Sequence, residues 1–153
     1  MTENHGTGTS SNLSSEFIAA LAAIGPDRLV EKLGIKLISV TPEKIVATMP
    51  VEGNTQPMGL LHGGASLALA ESLGSYGAAL HAGSGRSAVG LEINATHHRS
   101  AQSGIVTGTA TPLSLGNTIA TFEVIITDES DRRICTARIT CLLRDIKSNY
   151  PPR

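Results

Sequence analysis

Tryptophan is absent from this chain of 153 residues, and aromatic side chains are confined to two tyrosines and two phenylalanines. The interior must therefore be built from aliphatic residues, alanine and glycine. Excess charge is also missing: 12 Lys and Arg against 13 Asp and Glu leave a net charge of −1. That balance gives no electrostatic footprint for a nucleic-acid or anionic-membrane partner. Cysteine is nearly as scarce, with Cys135 and Cys141 alone. Placed on one strand they stand about 20 Å apart at roughly 3.3 Å per residue, well beyond the ~7 Å Cα separation a disulfide tolerates. Two unpaired thiols fit a reducing, cytoplasmic compartment, and no His/Cys spacing suits a zinc site.

No targeting segment is expected from the first residues either. Met1 to Ser11 is Thr, Gly, Ser and Asn without an apolar stretch or positive cluster, neither a signal peptide nor an anchor. We expect residues 1–13 to form a disordered tail, 14–146 a single domain and 147–153 a C-terminal tail. The apolar run from Gly63 to Gly83 approaches membrane-spanning length, but Glu71 and several Ser and Gly interrupt it, which points to a core helix rather than a span.

What is present is an orderly alternation of elements. Glu16 to Ile24 reads as a short amphipathic helix capped by Ser14 or Ser15 and ended by Gly25. Pro26 suits the first turn of a second helix, Asp27 to Leu33, which Gly34 terminates. Ile35–Val40 and Lys44–Val51 form a strand pair about Thr41-Pro42-Glu43. One long helix follows from Gly63, and then the strands Ser87–His98, Ile105–Thr111, Thr118–Thr127 and Arg133–Arg144. Val89, Leu91, Ile93 and Ala95 are expected on one face of the first of these, and Pro112 marks a bulge or strand end. Cys135, Ala137, Ile139 and Cys141 share a face of the last. The pattern predicts an α+β fold in which five to six antiparallel strands wrap one long central helix.

That helix carries the chemistry. Glu71 is the only Asp, Glu, Lys or Arg between His62 and Arg86. A helix apolar on nearly every face belongs inside a protein, so Glu71 is expected there, where a carboxylate needs a partner or a task. Gln56-Pro57-Met58-Gly59-Leu60-Leu61-His62-Gly63-Gly64 leads into the helix. Two glycines allow close approach of a ligand to backbone N–H groups at the positive end of the helix dipole, a good place to polarise a carbonyl oxygen. Gly63 and Glu71 lie eight residues apart, about 12 Å along a helix, too far to act on one carbonyl. If both are catalytic they belong to different subunits, with two helices antiparallel across a two-fold axis. Ser75, one turn beyond Glu71, can orient the carboxylate or a water.

Gly59-Leu60-Leu61-His62-Gly63-Gly64-Ala65-Ser66, Leu69-Ala70-Glu71-Ser72 and Val89-Gly90-Leu91-Glu92-Ile93-Asn94-Ala95 resemble the hotdog-fold acyl-CoA thioesterases, over roughly Gly34 to Arg144. The resemblance is closest to the Glu-on-helix branch, which holds 4-hydroxybenzoyl-CoA and phenylacetate-pathway thioesterases, 1,4-dihydroxy-2-naphthoyl-CoA hydrolases and proofreading aryl thioesterases. It implies that Glu71 attacks the thioester or activates water, and that the Gly63 N–H polarises the thioester carbonyl from the partner subunit. Gln56 and His62 would position substrate, and Ser75 would help place water. His97, Arg99 and the Gly116-Asn117 turn would meet the CoA nucleotide and pantetheine. It further implies an acyl-CoA substrate, no metal or organic cofactor, and homodimers with shared sites paired into a tetramer.

Each residue also has a structural reading. His62 could be a histidine satisfied by backbone at a helix end, His81 a C-terminal dipole partner, His98 a solvent-facing strand residue and Arg99 a plain surface arginine. Ser75 beside Gly74 and Gly77 could simply permit close packing. Aliphatic acyl-CoA hydrolysis, hydration or dehydration of a β-hydroxyacyl thioester, and non-catalytic acyl-CoA binding are the alternatives to aryl-CoA hydrolysis.

Overall fold

The computed structural model describes residues 27–146. The helix expected over Glu16–Ile24 and both tails lie outside them. Within them, Asp27 caps a one-and-a-half-turn helix, α1 (Arg28–Leu33), its side chain accepting from the Val30 N–H at 3.2 Å, and Gly34 ends it in the left-handed region at φ 67°. Two strands follow, β1 (Lys36–Val40) and β2 (Ile45–Pro50), then the long helix α2 (Gly63–Ala82) and four further strands: β3 (Arg86–His97), β4 (Ile105–Leu115), β5 (Ile119–Thr127) and β6 (Arg133–Asp145). The strands form one antiparallel sheet in the order β1-β2-β4-β5-β6-β3. α2 packs across β2, β4, β5, β6 and β3. This is the expected α+β architecture of a helix cradled by six strands.

Period-two alternation turns the inward face of each strand to the helix. Ala120, Phe122, Val124 and Ile126 of β5 are buried, as are Cys135, Ala137, Ile139 and Cys141 of β6. Both cysteines are free thiols on that one strand, as their spacing required. Pro112 sits at a β-bulge between Pro112 and Ser114, and β4 continues through it to Leu115.

Two expectations are corrected. α2 buries Ala65, Ser66, Leu69, Ala70, Leu73, Gly74, Gly77 and Ala78, a stripe on one side only, because the sheet covers one side of the helix. Glu71 falls on the other side and is exposed. The second correction concerns β3. A bulge between Gly90 and Glu92 inserts Leu91 as an extra residue and reverses the alternation. Ala88, Ile93 and Ala95 pack on the core, whereas Val89 and Leu91 are exposed at 41% and 56%. They are not on one face with Ile93.

The helix can reach the sheet because side chains are missing at the contact. A Cβ on Gly77 would lie 2.6 Å from Phe122 Cε1, one on Gly108 of β4 2.6 Å from Leu73 Cδ1, and one on Gly74 would overlap Ile139 Cγ2. Ile139 is β-branched, buried and held in a central strand, so it has nowhere to swing. Gly74→Ala should therefore destabilise: overpacking costs about 1–3 kcal/mol, which outweighs the ~1 kcal/mol gain in helix propensity. A lowered urea midpoint is the expected result, and a raised one would contradict the packing account.

Candidate active site

The segment between β2 and α2 is fixed by a residue that looked like a mere turn former. Asn54 is buried, and its Nδ2 donates to Leu33 O at 2.8 Å and Pro50 O at 2.9 Å, while its own carbonyl accepts the His62 N–H at 2.9 Å. It ties α1, the end of β2 and the start of α2 together. The only sequence signal was an Asn in a turn-rich stretch, which does not separate a buried anchor from an exposed turn.

Gln56 opens the next turn. Its carbonyl accepts from Gly59 N at 2.9 Å, its N–H donates to Leu60 O at 2.8 Å, and its side-chain Oε1 accepts from Met58 N at 2.8 Å. A backbone donor must be met by the amide oxygen, so the Gln56 Nε2 hydrogens remain for something else. His62 is the N-cap of α2: its Nδ1 accepts the Gly64 N–H at 2.8 Å. An accepting Nδ1 carries no proton, which places the imidazole proton on Nε2. The structural reading of His62 is thus realised. Because the cap takes the Gly64 N–H, the Gly63 N–H has no partner among the described residues.

That free N–H lies at a cavity of about 400 Å³ lined by Gly63, Gln56, Ser66, His97, His98 and Arg99, with Leu60, Leu61, Ala101 and Ile134 as its apolar walls. The His97 ring lies against Gly63, whose absent Cβ would meet His97 Nε2 at 2.9 Å. Arg99 donates from Nη1 to Arg133 O at 2.9 Å, and His98 Nε2 lies 2.9 Å from the Thr136 hydroxyl. The structure therefore brings Gln56, His62, Gly63, His97 and Arg99 together at one helix end. Ser66, which was not singled out, and His98, read from sequence as a solvent-facing strand residue, join them. Ser66 stood within a matched motif but carried no charge or nitrogen to mark it.

Glu71 is not part of that cluster. It lines a separate cavity of about 140 Å³ with Gly90, Leu91, Glu92, Ile93 and Ile139, beside β3 at the end of the sheet. Its Oε1 would be 3.5 Å from a Cβ on Gly90, an ordinary contact distance, which places the carboxylate directly against β3. Ser75 bonds the Cys141 thiol beneath, a tie the sequence did not suggest. Burial pushes that thiol's pKa up, the Ser75 bond opposes the rise and the Glu71 charge adds to it.

Gly116 and Asn117 sit elsewhere again. They form the β4–β5 turn, where the Gly116 carbonyl accepts from His81 Nε2 at 2.9 Å and Arg86 Nη2 donates to Asn117 O at 2.7 Å. His81 is in the last turn of α2 and Gly63 in the first, so about 30 Å of helix separates this turn from His97 and Arg99. In one chain these residues do not converge, because the β4–β5 turn and the end of β3 fall at opposite ends of the helix. A single chain thus keeps two groups apart, hydrogen-bond donors at the start of α2 and a carboxylate in its middle.

Comparison with known proteins matches residues 58–135 to the Thioesterase superfamily. The chain is 47% identical over 124 residues to the proofreading thioesterase EntH of Cronobacter turicensis, covering 80% of this chain and 90% of that protein. Against EntH of Klebsiella pneumoniae it is 46% identical over 123 residues, with the same coverage of 80% and 90%. Among solved structures, thioesterase HI1161 from Haemophilus influenzae superposes with a TM-score of 0.78 at 38% identity, covering 84% of this chain and 90% of that one. The E. coli PaaI protein from the phenylacetic acid degradation operon shares the fold, with a TM-score of 0.72 at 23% identity over 82% of this chain and 89% of that one.

The cap makes a separable prediction. His62→Ala should cost about 0.5–2 kcal/mol by orphaning the Gly64 N–H, and His62→Asn should recover most of it, since Asn is a strong N-cap. Thermal denaturation of the two variants measures this. Equal losses in both would show that the imidazole does more for stability than cap the helix.

Proposed function

The chain belongs to the Thioesterase superfamily and is a thioester hydrolase of the hotdog fold; from that membership we propose that it hydrolyses an aromatic acyl-CoA to the free acid and CoA at a site shared by two subunits. The observation that carries this reading is the unpartnered Gly63 N–H at the start of a 20-residue helix, facing a cavity with apolar walls. The helix dipole and that N–H favour negative charge on a carbonyl oxygen as it develops. The Gln56 amide hydrogens and the His97 ring flank the same spot. Hydroxybenzoyl, phenylacetyl and 1,4-dihydroxy-2-naphthoyl groups are the candidate acyl groups. The relatives named as proofreading thioesterases and the apolar walls at Leu60, Leu61 and Ile134 support an aryl group.

The carboxylate comes from the partner. Eight residues of helix hold Glu71 about 12 Å from Gly63 of its own chain, so a second α2 running antiparallel supplies it. The free edge of β3, with Val89 and Leu91 exposed beside Glu71, supports pairing on that side. Two such dimers then assemble as a tetramer. Glu71 acts in one of two ways. It attacks the carbonyl carbon, the C–S bond breaks with CoA leaving as thiolate, and water hydrolyses the acyl anhydride. Alternatively it takes a proton from water, whose oxygen adds to the carbonyl before the same C–S bond breaks. His97 and Arg99 meet CoA in this arrangement, with Gly116 and Asn117 contributing only from another subunit.

Thiol release across aryl- and alkyl-CoA substrates, ranked by kcat/KM, tests the reading. Aryl thioesters should lead. Preference for short aliphatic chains would shift the substrate class, water addition to crotonyl-CoA without free thiol would indicate a hydratase, and tight binding with no turnover a non-catalytic module. Glu71→Ala should lower kcat on the order of 100-fold or more without unfolding the protein, and Glu71→Gln separates charge from shape. Rapid-quench trapping of an acyl-enzyme would favour direct attack.

Subunit sharing has its own test. Gly63→Pro removes the N–H at the first helical position, the one a helix tolerates best; the extended His62 (φ −68°, ψ 131°) already suits a following proline, and the exposed His97 ring of the same chain must shift to admit the new Cβ, in the site that the substitution already disables. Mixed with Glu71→Ala, two inactive chains should recover about a quarter of wild-type activity, since half the dimers are mixed and each holds one intact site. No recovery after subunit exchange would mean that both groups act within one chain.

A further inference from the structure

Two polar side chains are buried among the described residues, Asn54 and Ser66. They differ in what they do. Asn54 spends its amide on two carbonyls. Ser66, exposed to only 2%, makes no side-chain hydrogen bond with any described residue, yet among the described residues no fully enclosed side-chain oxygen or nitrogen lacks a partner. Its hydroxyl is therefore the part of the residue still reached from the cavity that Ser66 lines. A helical serine commonly turns its hydroxyl back to the carbonyl four residues earlier. Here that carbonyl, His62 O, already receives the Ala65 and Ser66 N–H groups at 3.0 and 3.3 Å, and the hydroxyl is not bonded to it.

Position says where the free hydroxyl is used. Ser66 stands three residues after Gly63, on the same helical face, and helical side chains lean over the turn that precedes them. The Ser66 hydroxyl and the Gly63 N–H thus face one end of the cavity that both residues line, with the His97 ring beside Gly63. Resting on the thioesterase reading above, we propose that Ser66 is a substrate-contacting residue whose hydroxyl donates a second hydrogen bond to the thioester carbonyl oxygen held by Gly63. Its contribution grows as the oxygen gains negative charge, so it acts mainly on kcat.

Ser66→Ala removes one oxygen from a closely packed site and should fold as the wild type. Its kcat/KM on aryl-CoA should fall on the order of 100-fold, mostly in kcat, and Ser66→Thr should restore part of it. Binding by calorimetry isolates the contact from turnover. S-phenacyl-CoA keeps a carbonyl, whereas in S-phenethyl-CoA a methylene replaces it. Ser66→Ala should weaken the first by about tenfold and leave the second unchanged. Equal affinity of both proteins for S-phenacyl-CoA, or equal weakening for the two analogues, would overturn the proposal. A wild-type protein that releases no thiol from any thioester would instead overturn the thioesterase reading, and the analogue pair would still decide the role of Ser66.

Discussion

Where α2 meets the sheet, glycine at 74, 77 and 108 lets backbone approach side chain at distances no other residue allows. The rest of the chain depends on that contact. It seats Leu69 and Leu73 against the strands, sets which stripe of the helix is covered, and leaves the opposite stripe, with Glu71, facing away. It also fixes both ends of the helix, so that Gly63 is held near His97 at one end and His81 near Gly116 at the other. A helix standing off the sheet by one methyl group would lose these relations together.

The rigidity of that helix then divides the chemistry. Hydrogen-bond donors gather at its first turn, where the backbone leaves N–H groups unsatisfied, and the carboxylate sits two turns on. The edge position of β3 and the exposure of Val89, Leu91 and Glu71 belong to the same picture. The surface that a single chain leaves bare is the surface a shared site would use.

Much of this was legible from residue pattern. The strands announce themselves by strict alternation, as in Ala120, Phe122, Val124 and Ile126, and the helix by its length and its start at His62-Gly63-Gly64. The reading failed where a local irregularity cancels the period. One extra residue at Leu91 turns β3 over, and nothing in Gly90-Leu91-Glu92 marks which residue is extra. It was silent where a polar residue's partner is distant in the chain. Asn54 reaches Leu33 and Ser75 reaches Cys141, and neither partner is near in sequence.

The sequence by itself determined the elements, the family to which they belong and the distance between Gly63 and Glu71, because helical rise and side-chain period are properties of short stretches of chain. Only the tertiary structure decided that Glu71 is exposed, that His62 serves as a cap, that Gly116 and Asn117 stand apart from His97 and Arg99, and that the Ser66 hydroxyl is left free. Each of these is a relation between residues brought together by packing, and packing is set by which surfaces fit rather than by what any one segment prefers.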